Sequence, residues 1–344
     1  MGTVDQQRVS SIPIAAVGPL SELLASLLAA PPAPTAPRLA AVADEVTDSV
    51  AEPLVDDDLQ LALYISYELH YRSFPGVHPA WEWNPALLGL RARLERVFFG
   101  ALESELPAGP VDPRQVGDAL FQLEAEDDGP SLSKFIEVAA DLDQFREFVV
   151  HRSPYQLKEA DPHSWAIPRL TGAVKAALLE VQHDEYGGGR AERMHSALFA
   201  KTMRELGLDD RENAYLDRIP GLTLATVNLM SGFGLHRSRR GASVGHLAMF
   251  EMTSARPNRR YGNALRRLGC GPETTDFYDE HVEADAVHEN IAAYDMAGGL
   301  ARAEPELAAD ILFGARALLL LENRLGGHLL EAWERGDSSL RKPL

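Results

Sequence analysis

His281, Asp285 and His288 form an H-x3-D-x2-H run in a stretch whose pattern otherwise predicts helix. At about 100° per residue, positions i, i+4 and i+7 fall within roughly 60° of one another, so the three side chains share one stripe. The stripe covers about 10 Å of helix axis, which is long for one ion and suited to two ions about 4 Å apart. Two imidazoles and a carboxylate facing one way suit a mid-row transition metal. The same run also reads as a solvated polar face, since Asp279 and Glu280 precede His281 and Glu283 follows it.

A second group of candidates lies upstream, in Asp184-Glu185-Tyr186-Gly187-Gly188-Gly189 followed by His195. Glu185 ends one predicted helix and His195 lies a turn into the next. If the helix ran on, ten residues would be near three turns and both side chains would face one interior. The glycines predict a break or distorted turn that lets the backbone approach a neighbour closely. With no strand before them and no GxGxxG spacing, they do not make a dinucleotide site. The ordinary alternative makes Glu185 a surface acid and His195 one face of an amphipathic helix. Glu159 follows Lys158 and reads either as a ligand or as a salt-bridged surface group. Glu251 is an acid in the apolar run Met249-Phe250-Glu251-Met252, and a buried carboxylate needs a partner or a metal. Glu68 and His70, two residues apart on a helix, face different ways and read as structural.

The elements that would position these residues are helices. Residues 1–55 are rich in Ala, Pro, Ser and Val and read as a mobile lead with one short helix from Ser21 to Ala29. Apolar spacing predicts helices ending near Tyr71 and spanning about 85–106, then 131–151, 163–184, 191–206, 213–234, 241–254, 257–268, 273–296 and 304–335. Gly129-Pro130 punctuates the chain between a helical block at 56–128 and a larger domain at 130–340. Strand signals are almost absent, so the expected class is all-α.

Composition narrows the function. With 51 acidic against 33 basic residues and a formal net charge of -18, neither a nucleic-acid groove nor an anionic membrane surface is expected. Cys270 is the only cysteine, which removes intrachain disulfides and thiolate metal sites and fits a reducing cytoplasm. The first residues lack the basic start and apolar core of a secretory signal. No apolar run reaches membrane-spanning length.

Taken together, Glu159, Glu185 with His195, and His281-Asp285-His288 resemble the ligand set of the heme-oxygenase-like diiron oxidases, also called iron-containing redox enzymes. Glu251 resembles an extra carboxylate of the N-oxygenating members. The resemblance covers about residues 130–335. It implies a seven-helix bundle, with the 56–128 block as an appended helical subdomain. It also implies two iron ions, with O2 as co-substrate. Glu185 would bridge, Glu159 and His195 would complete one iron site, and His281, Asp285 and His288 would complete the other. Glu185, His195 and Asp285 would be the catalytic ligands, with Glu251 a mobile carboxylate. The activity implied is oxidation of a small organic substrate through a peroxo-diferric intermediate, by amine N-oxygenation or by C–H or C–C oxidation of an amino or fatty acid. An external electron donor and homodimerisation both stay open. Arg190 and Arg193, or Arg256, Arg259 and Arg260, either clamp a substrate carboxylate or solvate the surface. Tyr186 and Tyr278 either donate to a metal-bound oxygen or fill the core. The alternatives are a heme-binding protein of the same fold, a hydrolase, or a metal-free helical binding module. Two further ligand clusters would be superfluous beside one proximal histidine. Cys270 has no histidine near it in sequence to act as its base.

Overall fold

The computed structural model describes residues 14–32, 37–106 and 109–344; the side chains at 37, 38, 40 and 283–287 are outside that description. The described residues contain helices and no strand, which bears out the all-α class. They divide into two units, Met1–Ala101 and Leu102–Leu344.

In the first unit, α1 (Pro19–Leu28), α2 (Pro37–Ser49) and α3 (Asp57–Glu68) are followed by α4 (Pro85–Glu105), which runs through the boundary. The stretch read as a mobile lead thus holds two helices. Leu20, Leu24 and Leu28 recur at helical spacing and are buried. The Asp58 carboxylate accepts from the backbone N–H groups of Leu20 and Ser21 at 2.8 Å, tying α1 to the start of α3. Glu68 and His70 are buried here, and His70 lies between Glu82 (3.3 Å) and Arg91 (2.6 Å), the structural role their spacing predicts.

The second unit begins with α5 (Val116–Glu126), α6 (Leu132–Val138), α7 (Leu142–Gln156) and the single turn α8 (Asp161–Ser164). It continues with α9 (Gly172–Glu185), α10 (His195–Glu205), α11 (Gly221–Leu235), α12 (Arg240–Met252), α13 (Ala255–Arg267) and α14 (Pro272–Asn290). A π-helical turn, Ile291–Ala297, leads into α15 (Gly298–Ala303) and α16 (Ala308–Glu334). The single helix expected over 131–151 is two, because Asp141 starts α7 afresh. Its side chain accepts from Gln144 N–H while the Gln144 side chain returns to the Asp141 N–H.

Nearly every residue of α11 is buried, as a helix apolar all round requires. α12 packs on α16 almost backbone to backbone: a Cβ at Gly245 would overlap the Ile311 carbonyl, and one at Gly314 the Ala242 carbonyl. That contact fixes the helix carrying Glu251. α14, which carries His281 and His288, lies against α10, α12 and α13. Among the described residues no helix is long and apolar enough to cross a membrane.

Candidate metal centre

Glu159 lies in the turn after α7, where Glu159 N–H bonds to the Gln156 carbonyl and Asp161 N–H to that of Lys158. The next residue, Ala160, is held at φ 72, a left-handed conformation unfavourable to a residue with a Cβ. The Gln182 amide donates to the Ala160 carbonyl at 3.3 Å, which pins this turn to α9. Neither Lys158 nor Glu159 is a surface group, at 4% and 3% exposed.

Glu185 is the last residue of α9 and His195 the first of α10. The helix does not run through them. Gly187, Gly188 and Gly189 take φ of 66, 59 and 79, and the chain doubles back. A Cβ at Gly187 would meet the backbone of Arg193 and Met194, so the reversal is close enough to need glycine there. The two side chains converge across it, His195 Nδ1 lying 3.2 Å from Glu185 Oε2.

His281 completes this group. Its Nδ1–H donates to the Phe277 carbonyl one turn back at 2.8 Å, which sets the ring and turns Nε2 toward Glu159 Oε1 at 3.5 Å. The His195 and His281 rings lie 4.3 Å apart. One donor atom from each of Glu159, Glu185, His195 and His281 falls within 4.8 Å of the other three, and all four residues are buried.

A second group stands beside the first. Glu251 Oε2 faces His288 Nδ1 at 3.3 Å, and the opposite ring nitrogen, Nε2, lies 2.9 Å from Asp184 Oδ2. Glu251 and His288 are buried, while the Asp184 side chain is 49% exposed. The Asp285 side chain is outside the described residues; its backbone belongs to α14 between the two histidines. His281 therefore joins the Glu159–Glu185–His195 group and not His288. The reason is axial: seven residues separate the two rings by roughly 10 Å along α14. A cavity of about 10 Å³, walled by Glu185, Glu251 and His281 among others, is common to both groups.

Electrostatics favour a cation here. Burial pushes the Glu159 carboxyl above its ordinary range; His281 opposes the rise and Glu185 adds to it. Burial raises Glu251 in the same way, against the pull of His288. Burial works to lower His288, but Glu251 and Asp184 outweigh it and hold the ring at about 9. With Nδ1–H committed to Phe277, the His281 Nε2 lone pair points at a carboxylate oxygen, an arrangement that needs a proton or a metal ion between them. Imidazole and carboxylate donors without thiolate fit Fe(II) or Mn(II), so the residues present suit the implied metal.

Other side chains sort differently. The Tyr186 hydroxyl bonds Ser164 and Asp161, so it does not donate into the site. Arg193 is engaged with Glu280, and Arg260 reaches Ser133. A cavity of about 780 Å³ reaches Glu159 and His281; Phe199, Phe250, Phe277 and Tyr278 are among its walls, and Arg256, Arg259 and Arg260 line it too. The Tyr278 hydroxyl is buried without a hydrogen-bond partner among the described residues. Asp184 was missed from sequence, although it adjoins Glu185. So was the buried pair His163–His246, Nε2 to Nδ1 at 3.1 Å, which no spacing in the chain announces.

Two comparisons bear on this site. A family model described as iron-containing redox enzyme matches residues 146–323, a span that contains all seven candidate ligands. The chain is 27% identical over 207 residues to nitrosourea synthase of Streptomyces achromogenes subsp. streptozoticus, a match covering 59% of this chain and 44% of that protein. The chain thus spans less than half the length of that relative.

Proposed function

The chain belongs to the iron-containing redox enzyme family, and from that premise we propose that it is an O2-activating oxidase or oxygenase working with two iron ions. The observation that carries the reading is the convergence of Glu159, Glu185, His195 and His281 at buried, mutually close donor atoms. Glu251 lines a cavity with Glu185 and His281, and its pair with His288 provides for the second ion. Asp285, midway between the histidines on α14, belongs with that second set. When bound, the iron pair supplies the electrons for O2 reduction and the oxidant for the substrate.

The chain's own residues do the rest. Burial of every described ligand excludes water, so charges in the site act at low dielectric. The Phe277 carbonyl and Gln182 hold His281 and the Glu159 turn in place before any metal arrives. The substrate enters the larger cavity, which reaches Glu159 and His281 past aromatic walls. We take it to be a small molecule with a carboxylate and an oxidisable amine. α13 carries five arginines and no acid, and three of them, Arg256, Arg259 and Arg260, line that cavity. The name of the relative, nitrosourea synthase, favours nitrogen as the atom oxidised. An external electron donor belongs to this reading.

Anaerobic titration with Fe(II) tests it. Two equivalents bound, followed by a transient visible band on O2 exposure, is the expected result. Stoichiometric heme with a Soret band, or saturation at one iron, overturns it.

A further inference from the structure

The His288 ring is held from both sides. Nδ1 faces the buried Glu251 carboxylate at 3.3 Å, while Nε2 meets the half-exposed Asp184 at 2.9 Å. We propose that Asp184 is a positioning residue, which takes the Nε2–H of His288 and so presents Nδ1 to the second metal position. The inference rests on the two-iron reading and adds to it a residue and a ring atom.

Three features of the chain support the assignment. Asp184 sits in the last turn of α9, where the carbonyl ends of a helix disfavour a negative charge. A residue that breaks a local rule needs a compensating partner, and His288 is the one in place. Asp184 also adjoins Glu185, and successive helical residues point about 100° apart. One therefore turns toward His195 and the other toward His288. A single helix end thus supplies a donor to the first group and a clamp to the second. Finally, the other α14 histidine is oriented by the same logic, its non-ligating nitrogen donating to the Phe277 carbonyl. His281 finds its acceptor within α14, whereas His288 takes it from a different helix. Outer acceptors of this kind fix the ring, set the tautomer and raise the basicity of the nitrogen that binds.

The test is anaerobic titration of wild type, Asp184→Ala and Asp184→Asn, first with Fe(II), then with Co(II) read by its visible d–d band. Asp184→Ala is expected to bind the first equivalent as wild type does and the second about 10- to 100-fold more weakly, still reaching two at saturation. The band of the second Co(II) should shift, and Asp184→Asn, which keeps an acceptor oxygen, should recover most of the affinity. Equal second-site affinity in all three proteins overturns the proposal, since the contact would then be only structural. A second site that no concentration of metal fills also overturns it, because Asp184 would then be a ligand. Wild type that stops at one equivalent would instead remove the two-iron reading itself. Asp184 is half exposed, so both variants are expected to fold, and circular dichroism of the metal-free proteins checks this.

Discussion

A carboxyl group buried beside a second glutamate and two imidazoles, as Glu159 is, ionises against the cost of leaving water. Its folded-state pKa lies above its unfolded one, so at neutral pH the charge works against folding in the metal-free protein. Glu159→Gln removes that charge with little change of shape. It is expected to stabilise the apo-protein by about 1 kcal/mol, on the order of 2–4 °C in Tm for a unit of this size. Fe(II) should reverse the order, because a ligand that binds only the folded state stabilises wild type more than a variant that has lost one carboxylate of the first group. Thermal melts of both proteins with and without Fe(II) check this. A variant less stable than wild type in the absence of metal would mean that Glu159 is kept for its local bonds and not for an ion.

Elements bring these residues together, and here the sequence was readable in part. Helical spacing located α12, α13 and α14 within one or two residues of their observed starts. The glycine run was legible as a break, but not the direction of the break, which three consecutive positive φ values and a close backbone approach determine. Nor could spacing place Glu159 in a turn or turn Asp184 toward His288, because both depend on contacts between elements distant in the chain. The reversal makes a sharp prediction. Gly187→Ala adds left-handed strain and a clash with Arg193 and Met194, whereas Gly189→Ala adds strain alone, since nothing lies within 4 Å of its Cβ. Gly189→Ala should cost about 1 kcal/mol and keep iron, while Gly187→Ala should cost about 3 kcal/mol and separate Glu185 from His195. Iron retained per chain, measured beside urea melts, distinguishes them, and equal retention would show that the reversal does not set the site. α13 makes a second prediction, through its unbroken positive charge. Arg256→Gln with Arg259→Gln should raise KM for a carboxylate-bearing substrate about tenfold with kcat nearly unchanged, as loss of uniform binding requires. A fall in kcat alone would place these arginines elsewhere.

On the scale of the whole molecule, the described core of the larger unit keeps several further histidines buried, and one of them, His163, lines the small cavity beside Glu185, Glu251 and His281. Burial holds His163 down at about 4. It also lowers His246, with His163 adding to the effect, and His151, with His328 and Arg152 adding to it. A histidine whose folded pKa is depressed binds fewer protons folded than unfolded, so its contribution is intact above about 6.5 and is lost as pH falls. The raised carboxyls of Glu159 and Glu251 act in the opposite sense, gaining stability as pH falls toward their folded values. The net curve therefore mixes two signs, and a single protein's acid melt assigns neither. The difference between wild type and His163→Gln isolates the His163–His246 pair, because the carboxyls and His151 cancel to first order. From a folded value of about 4 against an unfolded value of about 6.5, the stability of wild type relative to that variant should fall by about 2 kcal/mol between pH 7 and pH 5. Urea unfolding of both apo-proteins across that range measures it. Parallel curves would show that His163 takes up its proton without unfolding, and that the His163–His246 pair is open to solvent in a way its burial denies.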